Sequence, residues 1–206
     1  MFSGDGNIDY GLIGIIAVAF LGPVLVYLTR YVLKGKTAVA SRIWFVSFCT
    51  YVVYYYLAKG YYIDTVIPTF YFALLWPIAA ILTYWFSERI AARDSPIPFF
   101  RWMVYLLAGI LFAMVLDIIG GLAGWYSYGS FTETISVPFS GLQVPAIVPL
   151  MLGVLLMGVF FLIDNAYEIL KKRIGTATTT YVLIGLSFVL GGLVWVVGDF
   201  LLGMVK

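Results

Sequence analysis

Asp117 is a carboxylate with no other charged residue between Arg101 and Glu133, in a run that is otherwise apolar, small or aromatic. Asp199 sits in a similar way near the end of the last apolar run. An ionisable side chain inside a bilayer is costly, so it faces a partner, a cavity or a substrate. Two such carboxylates brought together serve as a general acid, a proton relay or a cation site. The plainer role is glue, in which a protonated Asp hydrogen-bonds a neighbouring helix.

Spacing says where these residues point. Gly109, Ala113, Gly120, Gly121 and Gly124 recur in steps of three and four with Asp117, and Gly185, Gly192 and Gly203 do so with Asp199. Small residues let membrane helices approach closely, so both aspartates are expected to face other helices rather than lipid. Asp117 precedes Trp125 by roughly 12 Å of helical rise and Asp199 precedes Lys206 by roughly 10 Å. Beyond Asp117 lies a long connection, 124–143, whose only charge is Glu133. Its alternation of Ser, Thr and aromatic residues predicts a strand-like or interfacial flap. Trp125, Tyr126 and Tyr128 are candidates there for an interfacial belt or for contact with a ligand. Glu88, Asp94, Asp164 and Glu168 read as solvated ion-pair partners of nearby basic residues. Asp164, with Asn165, also stands where it closes an inner gate.

These positions need a membrane to hold them. Of 206 residues 63% are hydrophobic and only 11% charged, too little polar surface to cover a water-soluble globule. Apolar runs of bilayer length fall at 10–28, 39–58, 65–86, 102–123, 144–163 and 180–202. The expected fold is therefore an all-α integral membrane protein, a six-transmembrane-helix bundle forming one polytopic domain over 1–206. Arg30, Lys34, Lys36 and Arg42 gather at the junction of spans one and two. Arg89, Arg93 and Arg101 lie between three and four, and Lys171, Lys172 and Arg173 between five and six, leaving only Lys59 and Lys206 opposite. The positive-inside rule then puts both termini on the outer side of a cytoplasmic membrane. Asp5 and Asp9, with no Lys or Arg beside them, are the opposite of a signal-peptide n-region. Pro23 and Pro77 are expected to bend spans one and three, whereas Pro145 and Pro149 sit where a helix begins.

Several chemistries are excluded. There is no His, which removes His-ligated haem, His metal sites and Ser-His or Cys-His nucleophiles. The single Cys49 allows no internal disulfide. No Lys lies within a span, no P-loop is present and no intramembrane Arg repeat suggests a voltage sensor. No cofactor, metal or nucleic acid is expected. The expected partners are the lipid bilayer and a lipid or small-solute ligand, with a homo-oligomer left open.

The stretch from Gly124-Trp125 through Val137-Pro138 to Val144-Pro145-Ala146-Ile147-Val148-Pro149 resembles integral-membrane carotenoid-biosynthesis proteins of the bacterioruberin hydratase type. That resemblance implies chemistry on a long isoprenoid, with Asp117 and Glu133 as the acids. Three readings follow. The first is a small transporter using Asp117, with Asp199, as a proton or cation site. The second is a membrane enzyme acting on an isoprenoid, and the third is an accessory or scaffold subunit whose polar residues only hold helices together.

Overall fold

The computed structural model describes Tyr27 and residues 37–58, 62–65, 69–91, 99–122, 126–128, 134–136 and 143–205. Long apolar segments with few breakers become helices, the form in which a chain satisfies its own backbone groups in lipid. They are α1 (Thr37–Ala58), α2 (Thr69–Ile90), α3 (Phe100–Leu122), α4 (Ile147–Phe161), α5 (Tyr167–Ile174) and α6 (Thr176–Val205). A π-helical turn, Leu162–Ala166, joins α4 to α5. Four short strands complete the described elements: β1 (Tyr62–Thr65), β2 (Tyr126–Tyr128), β3 (Thr134–Ser136) and β4 (Gln143–Pro145).

Helices coincide with the expected second to sixth spans, and the first expected span lies outside the described residues apart from Tyr27. Three stretches, Phe100–Ile119, Ile147–Ile174 and Thr176–Leu201, are long and apolar enough to cross a membrane. Three, rather than six, is therefore the number that length and apolarity establish among the described residues.

The ends differ from expectation for local reasons. Thr65 belongs to β1, so α2 begins only at Thr69. Residues 143–145 pair as β4, and α4 begins two residues later, with Pro149 in its first turn, where a helix N–H has no internal partner anyway. The helix then outruns its expected end. Lys171, Lys172 and Arg173, expected in a loop, form the last turn of α5. Gly175, with φ of 79°, turns the chain into α6, a left-handed conformation that favours glycine. Pro77 lies inside α2, and the helix continues on both sides of it.

α4 is the central helix. It packs most extensively on α3 and also on α6 and α1, while α1 pairs with α2 and α6, and α2 with α3. Two glycines set the closest approaches. A Cβ on Gly153 of α4 would meet the backbone N of Ile110 at 2.9 Å, so α3 and α4 touch almost backbone to backbone there. A Cβ on Gly191 of α6 would meet the Thr50 carbonyl of α1 at 2.5 Å.

Outward, the polarity is that of a membrane protein. Met103, Leu107, Leu111, Val115, Ile119 and Leu122 form one exposed apolar stripe along α3. Phe188, Val189, Leu193, Val196, Val197 and Phe200 do the same along α6. Contiguous apolar surface on this scale has no place in water, and it marks a membrane-embedded protein.

The 124–143 connection is strand-like in part. β1 and β2 pair antiparallel with Tyr62 opposite Tyr128 and Thr65 opposite Tyr126, and β3 pairs with β4 with Ile135 opposite Val144. Tyr62 and the stretch Tyr126–Tyr128 are thus neighbours across one short ladder.

Candidate functional site

One face of α3 carries the polar groups of interest. Tyr105, Ala108, Gly109, Ala113 and Asp117 are all buried along it, with Arg101 half-buried at its start. Asp117 is only 5% exposed, as its helical spacing from Gly109 and Ala113 predicts. From Arg101 to Asp117 is about 24 Å of helical rise, most of a ~30 Å hydrocarbon core.

The Arg101 end is a five-residue network. The Arg101 Nη2 donates to Glu88 Oε1 at 2.7 Å and to Asp164 Oδ2 at 2.8 Å. Its Nε reaches the Tyr105 hydroxyl oxygen at 2.9 Å and Glu88 Oε1 at 3.2 Å. The Tyr105 hydroxyl lies 2.7 Å from Glu88 Oε1 and 2.8 Å from Asp164 Oδ2, and its one hydrogen serves either carboxylate. Tyr84 donates to the other oxygen of Asp164 at 2.9 Å.

Aromatic packing holds these groups in place. The Tyr84 and Tyr105 rings stack at 6.0 Å, and both meet the buried Phe160 edge-on, at 5.3 and 5.0 Å. Trp102 closes the side of Tyr105 at 5.5 Å. The side chains of Arg101, Glu88 and Asp164 keep 30%, 20% and 12% of their exposure, so the network opens to its surroundings at the arginine. One turn beyond Asp164, Arg42 of α1 lies 3.8 Å over the ring of Tyr167.

Three segments are therefore tied at one end of the bundle: α2 through Tyr84 and Glu88, α3 through Arg101 and Tyr105, and the π turn through Asp164. The π turn is defined by the Tyr167 N–H, which bonds back five residues to the Leu162 carbonyl. Such turns hold one extra residue and occur often at functional sites.

Several hydroxyls in the interior between the helices are satisfied within their own helix. Thr50, Thr83 and Ser187 are buried, and each hydroxyl donates to the carbonyl four residues earlier on its own helix. Ser87 Oγ and Trp76 Nε1, on one face of α2, are buried without a protein partner. Among the described residues no three Asp, Glu, His or Cys side chains gather as a metal would require.

Asp199 is placed differently from Asp117. It lies at an exposed position on α6. The packed face of α6 runs through Leu183, Ser187, Gly191, Val194 and Gly198, one residue out of step with Gly192 and Asp199. A Cβ on Gly185 or Gly192 would meet nothing within 4 Å. The expectation that both aspartates face other helices holds for Asp117 and is corrected for Asp199. One residue is about 100° of helix, enough to turn a packed face outward.

Of the other candidates, Tyr126 and Tyr128 lie in β2, and Trp125 and Glu133 lie outside the described residues. Glu88 and Asp164, expected to be solvated ion-pair partners, are instead partly buried members of one network. A local signal for it exists in the sequence: Tyr84/Glu88 and Arg101/Tyr105 are two i,i+4 pairs at facing helix ends.

No protein-family model, no curated protein and no solved structure matches the chain.

Proposed function

We propose that this chain is a small multi-pass transporter that carries a proton or cation, with Asp117 as its intramembrane site. Six spans with both termini outside fit the distribution of Lys and Arg. Under that orientation Asp117 lies in the outer half of the membrane and the Arg101 network at the cytoplasmic end. The observation that carries the reading is the buried face of α3, which bears Arg101 and Tyr105 at one end and Asp117 at the other. Charged groups on the inner face of a spanning helix mark ion and proton paths more often than they mark lipid contact. Ser87 Oγ and Trp76 Nε1 support it, since buried polar atoms without protein partners are those that water or a passing solute satisfies. Asp199, exposed on α6, is a second carboxylate at the outer end and is not needed for the path.

The test is electrical. Purified protein in liposomes on a solid-supported membrane receives a jump in pH, Na⁺ or K⁺. The wild type gives a current for one of these ions, and Asp117→Asn loses it while folding normally. Equal currents from both proteins would remove Asp117 from the path. No current from either, with helix contacts weakened in the variant, would favour a scaffold.

A further inference from the structure

The Arg101 network does more than brace helices. We propose that it is an inner gate, closed in this structure, with Arg101 as the latch and the π turn Leu162–Ala166 as the part that moves. The proposal rests on the transport reading for its purpose, but its geometry stands apart from Asp117.

Charge explains the latch. Glu88 on α2 and Asp164 on the π turn both lie within hydrogen-bond distance of the Tyr105 hydroxyl, and hence close to one another. Two carboxylates so placed repel, and Arg101 Nη2, at 2.7 and 2.8 Å, turns that repulsion into attraction. The same three groups therefore draw α2 and the π turn together with the guanidinium present and push them apart without it. Coulomb forces act strongly here because the network is only partly wetted.

The hinge is the π turn. Its extra residue makes the Tyr167 N–H bond to Leu162 rather than to Ile163. Moving the extra residue along the helix re-pairs this bond without breaking the helix, and turns Asp164 by about 100°, out of reach of Arg101 and Tyr84. α5 beyond it is held by a separate contact, Arg42 over Tyr167, with Lys171 Nζ 5.7 Å from the same ring centroid. Arg42, Tyr167 and Lys171 lie at the same end of the bundle as Tyr84, Glu88, Arg101, Tyr105 and Asp164. The far side thus stays anchored while Asp164 leaves.

Pulsed electron–electron distance measurement tests this in the full chain. Spin labels go on Ile90→Cys, exposed at the end of α2, and on Asn165→Cys, within the π turn itself, in a Cys49→Ala background. With Arg101 intact the distribution is dominated by one short distance. Arg101→Gln moves the main peak outward, and Arg101→Lys, which keeps the charge, returns most of it. If Arg101→Gln does not fold, Tyr84→Phe serves in its place, and the expected result is a minor outward population. An unchanged distribution in a folded Arg101→Gln, or an outward shift that Arg101→Lys does not reverse, overturns the proposal. Asp117→Asn leaves the distances as they are, so a failed ion site and a failed gate give different results.

Discussion

At the scale of single residues, Arg101 is costlier to lose than Tyr84. Its replacement by Gln leaves two partly buried carboxylates with Tyr84 and Tyr105 but no cation between them. Removing one member of a fully buried pair costs several kcal/mol, and the 30% exposure of Arg101 reduces that to about 1–3 kcal/mol. Tyr84→Phe removes one hydrogen bond to a charged acceptor, worth about 1–2 kcal/mol, and leaves the guanidinium bridge in place. Thermal melting in detergent is expected to rank Arg101→Gln below Tyr84→Phe, and both below wild type. A melt in which Arg101→Gln matches wild type would mean that the ion pairs contribute nothing net. Asp117 was legible from sequence, since spacing from Gly109 and Ala113 put it on an inner face and it is buried there. The full network was not, because Asp164 lies 59 to 80 residues from its partners and periodicity along one helix carries no information about which helix it meets.

At the scale of elements, glycine positions decide which helix faces touch. Gly153 and Gly191 sit at near-backbone contacts, so Gly153→Ala and Gly191→Ala push α4 from α3 and α6 from α1. Overpacking of this kind costs about 1–3 kcal/mol. Gly185→Ala and Gly192→Ala meet open space and gain helix propensity, so they are neutral or slightly stabilising. Denaturant or thermal unfolding of the four variants checks this, and equal losses in all four would contradict the assigned face of α6. The sequence offers two interleaved series of small residues on that helix, Gly185/Gly192 and Gly191/Gly198. Composition does not choose between them; the shape of α1 at Thr50 does. The helix starts were displaced where β1 and β4 took residues from apolar runs, since a short apolar run reads alike as strand or buried helix.

At the scale of the whole molecule, the described bundle is apolar outside and selectively polar within. The stripes Met103–Leu122 on α3 and Phe188–Phe200 on α6 supply the outside, and the Arg101–Asp117 face supplies the inside. The basic last turn of α5 and the strands of the 124–143 connection lie on opposite sides of the membrane in the proposed topology. Lys172→Cys is expected to react with an impermeant thiol reagent only from the cytoplasmic side, and Ser136→Cys only from the outer side, both in a Cys49→Ala background. Both positions are exposed, so access rather than burial sets the outcome. Labelling of both from one side would overturn the orientation and with it the placing of the gate. Membrane character was plain from composition, whereas the network at the Arg101 end of α3 needed the neighbours in three dimensions.

The most direct measurement is ion flux into sealed vesicles, with wild type, Asp117→Asn and Arg101→Gln reconstituted at equal density and driven by the same gradient. Flux is expected in the wild type, with its loss in Asp117→Asn and a faster, less regulated flux in Arg101→Gln. Identical flux from wild type and Asp117→Asn would contradict the claim that Asp117 is the site on which the carried ion sits.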